Sequence, residues 1–268
     1  MGWQGIARSD GSEAIRPKLV KYLLALPVIA IVITAYAYPV SATPPFTTAR
    51  FGSYVTGTVT TVVPVTGILL GYNAVVSDRE SGALLLLLAL PVSREDLVLG
   101  KYASRLGLLS ASLLISMVLA GGLVVYPFGR LVLVPYIALT IVTLGYGAIW
   151  AGLGVAASLV VATKQRALIV AFALLFLFVL AWDAVRLALT VGLRQAGIID
   201  TELPDLLQFL FGLGPGSVYS RVVEGFIDPS GTVAGPWYLG EWMALVLFVL
   251  WIVGPLGLAY RRFAGRDI

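Results

Sequence analysis

Cysteine and histidine are both absent from the 268-residue chain, and charged residues are scarce at 12%. Without them there is no thiolate or imidazole zinc site, no Cys- or His-based triad, no haem axial histidine and no disulfide. The missing cysteine says nothing of compartment, since its absence suits oxidising and reducing surroundings alike. A G-x-x-x-x-G-K-[ST] loop is missing too: Gly100-Lys101 lacks both the upstream glycine and the following Ser or Thr. The chain carries no P-loop ATPase of its own.

What the chain does have is apolar residues, at 59% with a mean hydropathy of +0.95. An ordinary soluble domain is about 45–50% apolar and about 25% charged. A water-soluble fold of this size cannot bury that excess. The composition therefore predicts an all-α integral membrane protein forming a single transmembrane domain. Six segments reach the ~20 apolar residues a spanning helix needs: residues 22–40, 54–76, 106–126, 131–161, 167–189 and 238–260. The net charge of +4 points to no nucleic acid, because the basic residues are scattered at the ends of apolar runs.

Sidedness follows from Lys and Arg. With the N-terminus inside, Arg8, Arg16, Lys18 and Lys21 fall in the cytoplasm, as do Arg79, Arg94, Lys101 and Arg105 between spans two and three. Lys164 and Arg166 fall between spans four and five, and Arg261, Arg262 and Arg266 close the tail; together these are 13 of the 18 basic residues. Both termini are expected to be cytoplasmic. Val40-Ser41-Ala42 looks like a signal-peptide cleavage site, but the run before it exceeds the 7–15 residues of an h-region. No cleavage is expected.

Within the spans, Pro27, Pro64 and Pro135 predict kinks. Ala148, Gly152 and Ala156 recur at four-residue spacing, which suits close helix packing within the chain, or alternatively a dimer seam. Thr56, Thr58, Thr60, Thr61 and Thr66 are expected to bond mostly to their own helix carbonyls. Asp183 and Arg186 share a face near the outer end of span five, where interfacial anchoring is the expected role. Residues 190–237 form a long acidic outer loop, and Pro204–Gly212 and Ser217–Ile227 read as re-entrant or interfacial helices too short to span.

The informative stretch is the segment 78–96. Asp78-Arg79-Glu80-Ser81-Gly82 precedes eight apolar residues, Ala83 to Leu90, and Pro91-Val92-Ser93-Arg94-Glu95-Asp96 follows. As a helix the run would extend only about 12 Å, against a hydrocarbon core of about 30 Å. It lies on the cytoplasmic side by the charge count. Either it folds back on the bundle or into the interface, or it docks into a partner. Ser93-x-x-Asp96 resembles a capping box that starts a new helix near Arg94, with Pro91 breaking the chain before it. Lys101 and Arg105, four apart, are expected to snorkel to lipid headgroups.

From Asn73 through Asp78-Arg79-Glu80-Ser81-Gly82, the leucine run, Pro91, Ser93-Arg94 and Gly100-Lys101, the sequence resembles the exporter-type permease subunits of ATP-binding-cassette transporters. It is similar to members related to the permease of the nitrous-oxide-reductase maturation system. The motif covers about 30 residues, and the six-helix layout extends the likeness to most of the chain. Asp78 stands where the family usually has Glu, and Asn73 where an acid is common. The resemblance implies that this segment holds a coupling helix seated on a cytoplasmic ATPase. Asp78, Arg79, Glu80, Ser81 and Gly82 would open the contact, Leu84, Leu87 and Leu88 would continue it, and Pro91, Arg94, Gly100 and Lys101 would form the elbow beyond.

It further implies a pair of permease copies, like or unlike, in the lipid bilayer of the cytoplasmic membrane. ATP and Mg would be bound by the partner ATPase, with no cofactor and no catalytic or metal-binding residue in this chain. Family members often carry an amphipathic helix before the first span; here Ser9-Asp10-Gly11-Ser12 and Pro17 predict that it is interrupted. The runner-up reading is a partner-free secondary transporter, which the absence of Asp, Glu, Lys and Arg from mid-span disfavours. An intramembrane enzyme ranks last, with Asp183 the one carboxylate inside a span. No residue names the cargo.

Overall fold

The computed structural model describes residues 2–83, 93–126, 129–200, 203–228 and 236–265. Among them there are helices and turns but no strand. In chain order they are α1 (Trp3–Ala14), α2 (Lys18–Ser41), α3 (Thr48–Gly71), the short α4 (Val76–Glu80), α5 (Arg94–Val125) and α6 (Leu133–Val160). Then come α7 (Lys164–Leu175), a π-helical turn (Phe176–Ala181), α8 (Trp182–Gln195), α9 (Asp205–Gly212), α10 (Pro215–Phe226), a 3-10 turn (Trp237–Leu239) and α11 (Glu241–Ala264). Six stretches are long and apolar enough to cross a membrane: α2, α3 with α4, α5, α6, α7 through α8, and α11. The chain is a multi-pass membrane protein, as its composition requires.

Local chemistry sets the helix starts. Thr47, Ser93 and Thr163 each accept a backbone N–H with their side chain at the head of α3, α5 and α7, satisfying donors that have no partner in the first turn. Pro27, Pro39, Pro64 and Pro255 sit inside helices. Pro135 does not kink a span: it lies in the first turn of α6, where a missing N–H interrupts nothing.

The centre of the bundle is the crossing of α3 and α6. A Cβ added to Gly154 would lie 2.7 Å from the Ile68 carbonyl oxygen and 2.9 Å from Gly71 Cα. Such contact needs bare backbone, and dispersion at that range drives helix association where no hydrophobic force operates. Of the expected small-residue stripe, Ala148 and Ala156 are buried and a Cβ on Gly152 would touch Tyr102. The stripe is used for packing inside the chain. Phe51, Tyr146, Trp150 and Tyr219 are the largest fully buried side chains around the crossing. The other spans are mostly exposed: 11% of the most apolar stretch of α7–α8 is buried within the chain, against 61% for α3–α4.

Candidate functional site

The site grows from the end of α3. A Cβ on Gly71 would stand 2.8 Å from the Ala151 carbonyl oxygen, so α3 leaves the bundle pressed against α6. The Ser158 hydroxyl then accepts the N–H groups of Val75 and Val76, each at 2.8 Å. Those two bonds fix the turn that starts α4. On α4, Asp78 reaches the Lys101 ammonium at 2.7 Å. Arg79 Nη1 donates to the Val161 carbonyl at 2.6 Å, and Glu80 Oε1 accepts the Lys164 N–H at 2.7 Å. A carboxylate at the first turn of α7 also meets the positive end of its dipole. Gly82, at φ +76°, leaves the segment through the left-handed region that favours glycine.

Beyond residue 92, Ser93 accepts the Asp96 N–H at 3.0 Å and donates to Asp96 Oδ2 at 2.7 Å. Asp96 Oδ1 in turn accepts the Trp3 N–H at 3.1 Å. The Ser93 hydroxyl, above all, holds the Asp96 carboxyl below the usual range. Arg94 Nη1 donates to the Ala264 carbonyl at 3.1 Å. At Gly100 an added Cβ would lie 2.7 Å from Ile6 Cβ and 2.9 Å from the Trp3 carbonyl oxygen, so α1 rests on bare backbone of α5.

Two expectations are overturned here. Lys101 and Arg105 do not snorkel to headgroups: they are 5% and 8% exposed. Lys101 is 2.9 Å from Asp10, and Arg105 is 3.1 Å from the same carboxylate. Nor is the N-terminal helix interrupted, since α1 runs unbroken through Ser9-Asp10-Gly11-Ser12. Tertiary contacts decide this against weak intrinsic propensity. Asp10 is the counterion of two buried cations on α5, and Gly11 faces Ser104 of the same helix.

Of the sequence-predicted residues, Asp78, Arg79, Glu80, Ser81, Gly82, Arg94, Gly100 and Lys101 gather at one end of the bundle, on α4, the two residues after it and the first turns of α5. Leu84, Leu87, Leu88 and Pro91 lie outside the described residues. Sequence reasoning missed three contributors: Asp10, Ser158 and Phe263. Asp10 stood in plain view, with Glu13 one of two acids among the basic N-terminal residues. Ser158 was a polar residue near the end of an apolar run, and nothing in sequence marked Phe263.

The opposite end of the bundle holds a cavity of about 980 Å³ lined by Thr60, Thr61, Asp183, Arg186, Arg221 and Glu224, among others. Thr60 and Thr61 bond to the carbonyls of Thr56 and Gly57 on their own helix, as expected of threonines in a span. Arg221 donates to the carbonyls of Leu239 and Gly212 at 3.1 and 2.5 Å. Burial, and then the charge of Asp228, push the Glu224 carboxyl up. The Ser53 hydroxyl donates to Asp228 and so ties α3 to the end of α10. Among the described residues no cluster of three or more acidic side chains is placed to hold a metal ion.

Residues 9–268 match the family described as ABC-2 family transporter protein. The chain belongs to the ABC-2 family of transporter permeases. It is 31% identical over 225 residues to the probable ABC transporter permease protein NosY of Stutzerimonas stutzeri, covering 77% of each chain. To the protein of the same name from Pseudomonas aeruginosa it is 30% identical over 231 residues, 80% of this chain and 79% of that one. The ABC-2 chain is thus a membrane subunit of an ATP-binding-cassette transporter, residing in the cell membrane. Membership makes it a transporter component and implies that ATP is hydrolysed by a partner.

Proposed function

We propose that this permease exports its cargo from the cytoplasm, with both termini cytoplasmic, and that the segment 78–96 is the coupling segment on which a separate ATPase docks. Two copies, or this chain and a similar one, form the twelve-helix core. Mg and ATP are held by the ATPase pair, whose closure pushes the coupling segments and swings the bundle between inward- and outward-open states. Asp78, Arg79, Glu80, Ser81 and Gly82 lead into the contact, Leu84, Leu87 and Leu88 seat in the ATPase, and Pro91, Arg94, Gly100 and Lys101 carry the motion into α5.

The observation that supports this most is the buried Lys101, bridging α1 through Asp10 and α4 through Asp78 from its place on α5. A push delivered between residues 82 and 93 is therefore delivered to three helices at once. The Glu80 bond to the head of α7 adds a fourth. The bare face of α7–α8 suits lipid or a second copy, and the polar cavity at the other end suits release of a polar cargo. The test is coupled ATP hydrolysis by the permease–ATPase complex in liposomes. Glu80→Gln and Gly82→Ala should lower stimulated hydrolysis while leaving the bundle folded; unchanged stimulation in both sinks the assignment.

A further inference from the structure

The last turn of α11 ends in an aromatic ring with two cationic neighbours. Phe263 is 1% exposed. The guanidinium carbon of Arg79 lies 5.7 Å from its ring centroid and that of Arg94 lies 5.9 Å away. Both distances fall within the range where a cation is drawn to the face of an aromatic ring. The two arginines stand on opposite sides of the leucine run in sequence. Each also holds a backbone carbonyl: Arg79 that of Val161, past the end of α6, and Arg94 that of Ala264, next to the ring.

Phe263 is, besides, part of an apolar cluster separate from the main core. Ala74 and Val75 contribute from the turn before α4, Val98 from α5, Leu159 from α6 and Ala259 from α11. One ring thus sits where the approach to the segment, the exit from it and the last span meet. If either flank shifts alone, its guanidinium leaves the ring. If α11 shifts, both flanks lose their common neighbour.

We propose that Phe263 is a positioning residue that clamps the two flanks of the coupling segment together and ties them to the sixth span, so that the segment and α11 move as one. This rests on the coupling reading above. The cation–π geometry requires an aromatic face, so the clamp depends on the ring and not on apolar bulk alone.

The chain has no native cysteine, so S81C and E95C, both at exposed positions, take paired spin labels without background. The full-length permease in nanodiscs should give one narrow label-to-label distance. F263L, which keeps bulk but no ring, should broaden it, R94Q should do the same, and F263Y should restore the narrow distribution. In the complex with the ATPase, F263L should lower coupled hydrolysis roughly three- to tenfold, with F263Y near the parent.

The clamp is overturned if F263L and R94Q both keep the narrow distance, or if F263Y broadens it as much as F263L does. R94Q serves as the independent variant should F263L not fold. A parent chain that never recruits an ATPase would defeat the coupling reading alone, because the label distance reads the clamp without a partner.

Discussion

Lys101 on α5 and Asp78 on α4 form an ion pair at 2.7 Å, and Lys101 is almost wholly removed from solvent. The same ammonium holds Asp10 of α1 at 2.9 Å, and Arg105 shares that second carboxylate. Two cations and two carboxylates thus balance within a buried cluster. Desolvating four charges is costly, so such a cluster is weak evidence for added stability as a whole. Its value lies in specificity: three helices meet in one arrangement or leave charges unpaired.

Removing one partner is therefore the informative change. Asp10→Asn leaves Arg105 buried without its carboxylate and Lys101 with one of two. The loss expected is about 3 kcal/mol, the lower end for a broken buried pair because Asp78 remains. Thermal unfolding in detergent reads it. The double variant Asp10→Asn with Arg105→Met, which keeps Lys101 paired with Asp78, should recover part of the loss; no difference between the single and the double substitution would contradict the cluster.

The spans themselves were open to reading in the sequence, because roughly 20 apolar residues in a row have few other uses. The helix after Ser93 was equally legible from its capping residues. What escaped was the partner of each charge. Nothing local to Lys101 announces an aspartate 91 residues away, and the snorkelling expectation followed from spacing on one helix alone. Asp10 and Gly11 read as a break since their intrinsic helix propensity is poor, while the contacts that overrule it come from α5. For the same reason Phe263 looked like one more apolar residue at the end of a span.

Glycine substitutions separate close approach from open surface. Gly100→Ala drives a methyl group into Ile6 and the Trp3 carbonyl, an overpacking that costs about 1–3 kcal/mol and loosens α1. Gly107→Ala, on the same helix, meets nothing within 4 Å and should gain about 0.5–1 kcal/mol from helix propensity. Protease susceptibility of α1 and melting temperature together check both. Equal effects at the two positions would contradict the packing of α1 on α5.

The Asp96 carboxyl links α1 to pH. Its folded value lies below the ordinary 3.8, chiefly through the Ser93 hydroxyl. A depressed carboxyl contributes stability that is present above the unfolded value and lost as pH falls through the folded one. The cap and the Trp3 bond should therefore survive acidification to pH 3.8 and fail below it. Ser93→Ala should move the loss upward in pH. Hydrogen exchange of the α1 amides, corrected for intrinsic rates from pH 5 to pH 2, follows it directly; a loss at the same pH in both chains would count against the cap.

The proposed coupling role of residues 78–96 is tested by what the segment touches. The tagged permease is expressed in its own organism, crosslinked through the single substitutions S81C or E95C, both at exposed positions, and purified in mild detergent for mass spectrometry. A Walker-motif ATPase should accompany it near one-to-one, with crosslinks from the segment landing on that subunit. A permease that comes out alone, or an ATPase whose crosslinks avoid the segment altogether, would contradict the coupling assignment.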